Sequence, residues 1–160
     1  DGLNFLNMVI RKAEKTDMKG VMELIRELAM YEKAPDEVEV TEADLIADGF
    51  GDNKVFSCFV AANDREIMGM GLYYFKYSTW KGKCVYLEDL IVKEKHRGRK
   101  IGARLFEAIA RECKELGVKR MEWQVLDWNE PAINFYKKYN AIMDPEWING
   151  KLTFEQLKEF

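Results

Sequence analysis

The stretch 86–106, YLEDLIVKEKHRGRKIGARLF, gathers the side chains best placed to do chemistry. Its first part is an apolar, strand-like run interrupted by Glu88 and Asp89. Burying a carboxylate in such a run is costly unless it has a partner or a role. Two-residue alternation predicts opposite faces, with Glu88 beside Tyr86 and Leu90, and Asp89 beside Leu87 and Ile91. Glu88 reads either as a proton-handling group or as an exposed residue at a strand end; Asp89 reads as structural or supporting. The second part opens a helix. It carries Lys93, Lys95, Arg97, Arg99 and Lys100 against one acid, Glu94. A helix N-terminus offers unpaired N–H groups and a partial positive charge, which suit a phosphate. Gly98 and Gly102 leave room for a ligand to approach the backbone. Neither GxxxxGKS/T nor GxGxxG is present. The segment is therefore a cradle for a pyrophosphate on a carrier other than ATP or a dinucleotide, or a basic loop that caps an ordinary helix.

A second charge feature has the opposite sign. Residues 32–52 hold eight acids and a single base, Lys33, so one neighbourhood suits an anion and another a cation, unless both are solvated surface. Net charge over the 160 residues is −3, which gives no reason to expect nucleic acid as a partner. Cys58, Cys84 and Cys113 are scattered through apolar segments with no CxxC pair, which argues against a disulfide framework and a zinc site and predicts buried thiols. His96 is the single histidine, so no histidine-rich metal site is expected. No apolar stretch nears the roughly 20 residues that span a bilayer. The opening DGLNFLN lacks the features of a secretion signal, and a soluble cytoplasmic protein without a membrane partner is expected. Residues 1–7 read as an extension or a cloning remnant, with patterned sequence from Met8.

These groups need elements to position them. MVIRKA (8–13) reads as a strand; Thr16-Asp17 offers an N-cap for a helix on Val21, Leu24, Ile25 and Leu28; Thr41 and Asp44 resemble a capping box for a short helix. VFSCFVAA (55–62) and IMGMGLYYFKY (67–77) read as a hairpin turning at 63–66, followed by a strand at 83–93. A helix is expected from about Arg99 to Leu116, closed by Gly117. Strands are expected at 118–126 and 147–154, and a helix at 130–139, with Pro131 in its first turn and a left-handed Asn140 at its end. The order β-α-α-β-β-β-α-β-α-β predicts one domain over residues 1–160, of α/β (α+β) class. Its mixed sheet contains a parallel strand–helix–strand crossover at 83–126.

The run Arg97-Gly98-Arg99-Lys100-Ile101-Gly102-Ala103 resembles the R-x-x-G-x-G/A signature of GNAT acetyltransferases, which wraps the pyrophosphate of coenzyme A. YLED (86–89), DGFGDN (48–53), YYFKYSTWKGK (73–83) and LDWNEPAINFYK (126–137) further resemble the spermidine/spermine acetyltransferases, above all their thialysine-acetylating branch. The likeness runs over about residues 8–141. Lys100 stands where the signature has its first glycine. A residue in the first helical turn needs no positive φ, so lysine is expected to fit. Asn140 replaces a glycine after the last helix of the match, and Ser78 an aspartate of the polyamine-specific members.

The resemblance implies the GNAT fold: a mixed, mostly antiparallel sheet with helices on both faces and a parallel β-α-β core that binds acetyl-CoA, the co-substrate, without a metal. It implies Tyr136 as the acid that protonates the departing thiolate and Glu88 as the group that helps relay the amine proton. Leu90, Ile91 and Val92 would pair with the pantetheine arm. Arg97, Gly98, Arg99, Lys100, Ile101, Gly102 and Ala103 would hold the pyrophosphate, and Asn129, Glu130, Pro131 and Ala132 would touch the cofactor. Tyr31, Glu32, Ser78, Trp80, Glu122, Trp123 and Gln124, with Glu88, would line the amine site. The implied reaction is direct acetyl transfer to a primary amine of a small cation, thialysine- or lysine-like or a diamine or polyamine, by a homodimer. The alternatives are acetylation of protein N-termini or lysines, and a coenzyme A-binding module without turnover.

Overall fold

The computed structural model describes residues 7–160; the expectation for residues 1–7 lies outside the described residues except at Asn7. The chain forms two compact units, one running to Gln124 and one from Val125 to Phe160. The first holds a five-stranded sheet in the order β1 (Val9–Lys12), β2 (Ser57–Ala62), β3 (Ile67–Ser78), β4 (Gly82–Val92) and β5 (Met121–Glu122). All pairs are antiparallel except β4 with β5, which is parallel as the crossover predicts. Helices α1 (Met18–Tyr31) and α2 (Glu42–Phe50) precede β2, and α3 (Ile101–Leu116) joins β4 to β5.

Local chemistry explains most of these elements. Thr41 Oγ1 accepts the N–H of Asp44 at 3.2 Å while the Asp44 carboxylate accepts the N–H of Thr41 at 2.9 Å, so the capping box starts α2. Asn63 Oδ1 accepts the N–H groups of Arg65 and Glu66, both at 2.9 Å, and turns the β2–β3 hairpin. Gly117, at φ 70°, ends α3 in the left-handed conformation.

The sheet buries both faces. On one, Met18, Val21, Met22 and Leu24 of α1 pack with Val60, Met70, Leu72 and Ile91. On the other, Ile101 and Leu105 of α3 pack with Ala61, Met68 and Met8. A Cβ on Gly71 would lie 2.4 Å from Ile109 Cδ1, so α3 sits this close because residue 71 has no side chain.

Two expected strands are corrected. Of 118–126 only Met121–Glu122 is strand, paired at Val85 and Tyr86. Just beyond, β4 carries a bulge at Glu88, and a bulged strand bends away from a straight neighbour. Residues 147–154 form no strand. Asp144 accepts from Trp147 Nε1 at 2.8 Å, and a Thr153/Gln156 capping box starts the short α5 (Phe154–Leu157). A strand is held by its neighbours, and none pairs here, so local capping prevails. In this second unit α4 (Glu130–Lys137) has Asn129 as N-cap and Pro131 in its first turn, and Asn140 follows at φ 58°.

Candidate active site

The shape of β4 decides where the carboxylates go. Leu72 pairs with Asp89 and Tyr73 with Leu87, so Glu88 is an extra residue with no partner on β3. Tyr74, packed against the α1-side core, donates its hydroxyl to Glu88 Oε2 at 2.9 Å. Asp89 lies opposite Leu72, which belongs to the same core. Both carboxylates therefore lie on the α1 side. This corrects the expectation of opposite faces, because strict alternation fails where one strand carries an extra residue.

The electrostatics follow from that crowding. Burial, then the charges of Glu88 and Glu32, pushes the Asp89 carboxyl up to about 6. Burial raises Glu32 too. The Tyr74 phenol is pushed up by burial and by its bond to Glu88, and Tyr86 by burial, Glu88 and Glu122. Additional negative charge is disfavoured throughout this region, so it favours a cation.

Beyond Val92 the chain makes a 3-10 turn, Glu94–His96, and reaches α3 through two left-handed residues, Gly98 at φ 81° and Lys100 at φ 62°. Lys100 is the N-cap, not a first-turn residue. The expectation that it needs no positive φ is corrected; lysine there costs roughly 1–2 kcal/mol. No side chain caps α3. The first helical donor is Arg104, bonded to Lys100 O at 3.1 Å, so the amides of Ile101, Gly102 and Ala103 precede the intrahelical ladder. No atom lies within 4 Å of where a Cβ on Gly98 would stand. Uncapped amides, an open glycine and the cations Arg97, Arg99 and Lys100 together fit a pyrophosphate.

Arg97 also has neighbours within the fold. Its Nε donates to Val92 O at 3.1 Å, and its guanidinium lies 5.5 Å from the Tyr31 ring centroid. From Leu87 to Val92, β4 has one strand neighbour, β3, because β5 reaches only Tyr86. This open edge includes Leu90, Ile91 and Val92 and has the form that an extended chain can join.

Other residues singled out from the sequence fall elsewhere. Ser78 Oγ accepts the N–H groups of Trp80 (3.2 Å) and Lys81 (3.1 Å) at the tip of the β3–β4 hairpin. Along β4 that tip is about 20 Å from Glu88 at the usual rise of a strand. Trp80 is 92% exposed there. Glu122 is shared by Lys76 and Arg120, both at 3.3 Å. Trp123 packs edge-on against Phe106 of α3, on the other side of the sheet from Glu88. Gln124 is exposed. In the second unit, Asn129 Oδ1 accepts the N–H of Ala132 at 3.3 Å, with Glu130 and Pro131 in the first turn of α4. Tyr136 is buried, with its ring 5.2 Å from that of Phe135.

The three cysteines are free and buried, as expected, and burial pushes Cys58 up to about 12, far from a reactive thiolate. Among the described residues no group of His, Cys, Asp and Glu could hold a metal, and no helix is long and apolar enough to cross a membrane. Tyr74 escaped the sequence reading because its contact with Glu88 depends on strand register.

The sequence pattern of the acetyltransferase (GNAT) family matches residues 18–141. The chain is 41% identical over 164 residues to a thialysine N-epsilon-acetyltransferase of Sus scrofa, covering 96% of each protein. It is 38% identical over 140 residues to a human spermidine/spermine N(1)-acetyltransferase-like protein 1, covering 83% of this chain and 20% of that one. Among solved structures, an aminoglycoside N-acetyltransferase in complex with CoA shares the fold, with a TM-score of 0.73 at 18% identity over 91% of this chain and 94% of that one. The helices on both sides of a mixed sheet, the parallel crossover at the basic turn and these likenesses converge: the chain belongs to the acetyltransferase (GNAT) family and is an N-acetyltransferase.

Proposed function

We propose that the chain transfers the acetyl group of acetyl-CoA to a primary amine of a small cationic substrate, thialysine- or lysine-like or a diamine, by direct attack in a ternary complex. One observation carries the substrate class: the bulge in β4 that sets Glu88 and Asp89 on one side of the sheet, within electrostatic reach of Glu32. Three carboxylates near one point attract an ammonium group. The relative named for thialysine, similar over nearly the whole chain, supports the same class.

Acetyl-CoA, when bound, supplies an acyl thioester. The amides of Ile101 to Ala103, with Gly98, Arg97, Arg99 and Lys100, hold its pyrophosphate, and the open edge of β4 at Leu90–Val92 orients its arm. Asp89 and Glu32, beside Tyr31, hold the incoming ammonium group. Glu88, fixed by Tyr74, takes the proton that the amine must lose before it attacks. The proton given to the departing sulfur is assigned to Tyr136 by the family resemblance, a step suited to a phenol.

Ser78 and Trp80 are too far along the hairpin to meet Glu88 of their own chain, so the proposal gives them to the amine site of a second copy in a homodimer. Sedimentation equilibrium tests this; a fully active monomer would remove both residues from the site. The three buried thiols fit a reducing, cytoplasmic setting.

The test is thiol release from acetyl-CoA with thialysine, lysine, putrescine, spermidine and a peptide amine. Release with thialysine or lysine and little with spermidine supports the reading and makes Ser78 the discriminating residue. A spermidine preference shifts the substrate to polyamines. Release only with the peptide moves it to protein amines, and silence with every amine while coenzyme A still binds leaves a module without turnover.

A further inference from the structure

The basic turn is held from behind by a residue outside the site described above. The carboxylate of Glu66, in the turn of the β2–β3 hairpin, meets His96 Nε2 at 2.5 Å, Lys93 Nζ at 3.0 Å and Lys95 Nζ at 3.1 Å. His96 is 7% exposed, and its Nδ1 has no hydrogen-bond partner, so the bond to Glu66 is the polar contact that orients the ring. Burial pushes the Glu66 carboxyl up, but the bonds from His96, Lys93 and Lys95 outweigh it and hold the group at about 2, so it is charged at any working pH.

Glu66 itself sits on a firm base. Asn63 Oδ1 holds its N–H, and the next residue, Ile67, packs against Gly20 of α1. An exposed ion pair contributes little, but here one carboxylate joins two lysines and a histidine of the same turn to a separate hairpin. The segment it grips leads directly into the left-handed Gly98 and Lys100. Such a conformation persists when the surrounding contacts over-determine it.

We propose that Glu66 is a positioning residue for coenzyme A binding: by clamping Lys93, Lys95 and His96 it sets the path of residues 97–100, so that the α3 amides and Arg97, Arg99 and Lys100 meet the pyrophosphate already in place. The proposal rests on the reading that this turn binds coenzyme A. It assigns the five basic residues two tasks: Lys93 and Lys95 are structural partners of Glu66, and the other three face the phosphates.

Charge alone makes the opposite prediction, which gives the test its edge. Glu66→Gln removes a negative charge near an anion site and releases two lysines, so a purely electrostatic role means tighter binding. A positioning role means weaker binding. The experiment is calorimetric titration of wild type, Glu66→Gln and Asp64→Asn with coenzyme A and with S-acetylpantetheine, which lacks the pyrophosphate. Asp64 is exposed in the same turn, so its variant applies the same charge change without touching the clamp. The expected result is a Kd for coenzyme A raised roughly three- to tenfold in Glu66→Gln, with acetylpantetheine unchanged and Asp64→Asn equal to or tighter than wild type. Unchanged or tighter coenzyme A binding in Glu66→Gln overturns the proposal alone. Equal weakening for both ligands also overturns it, by showing a general loss of structure. Wild type that fails to bind coenzyme A overturns the functional reading, and this inference with it.

Discussion

The basic turn at 93–100 and the carboxylate cluster of Glu88, Asp89 and Glu32 are separated by only a few residues of β4, yet they are built in opposite ways. The turn is made of consecutive residues, and the anion-binding role proposed for it rests on a helix start, two left-handed positions and local charge. The cluster draws on three elements. Glu32 comes from the end of α1, Tyr74 from β3, and Glu88 and Asp89 from β4, where a single extra residue turns both carboxylates to one side. A local site is specified by composition, whereas an assembled site is specified by register. Changes to the turn should therefore act on cofactor binding, and changes to the cluster on the amine.

The largest effect should lie in neither region. Tyr136→Phe is expected to lower kcat by roughly 10²–10⁴-fold, the range of general acid–base catalysis, with coenzyme A affinity intact. Unchanged turnover in a steady-state assay would take Tyr136 out of the mechanism. Next, Glu88→Gln should reduce kcat/KM for the amine by about 10²-fold, less at high pH where the free amine is more abundant, and leave the Kd for coenzyme A alone. If the cofactor Kd moves instead, the division between the two regions is broken.

Asp89 provides a pH signature without substrate. Its folded value of about 6 lies above the ordinary 3.8. The folded state thus binds more protons between those values, and wild-type stability falls as pH rises through that window. Asp89→Asn should gain roughly 1–3 kcal/mol on wild type between pH 4 and pH 8 in urea unfolding. Parallel curves for the two proteins would show that neither burial nor the charges of Glu88 and Glu32 raise Asp89. The smallest effect belongs to the turn. Lys100→Gly relieves the left-handed lysine and should stabilise the fold by about 1 kcal/mol, while coenzyme A binding loses part of its salt dependence because one cation is gone. A fall in melting temperature would mean that lysine is not strained there.

Much of the molecule was legible in the linear sequence. The apolar spacing of Val21 and Leu24, the Thr41/Asp44 box, the Asn63 turn, Gly117 and the helix that follows the basic turn are all decided within a few residues, because capping, turn geometry and helical period are short-range. The strand expected at 147–154 had the right residue types but gained no neighbour, and its local capping box decided the outcome. The conformation of Lys100, the common side shared by Glu88 and Asp89, the reach of Tyr74 and the clamp at Glu66 were settled only by tertiary structure. Each depends on which residue of one strand or turn faces which residue of another. A one-residue bulge changes that relation for everything beyond it, and its position was not visible in residue types alone.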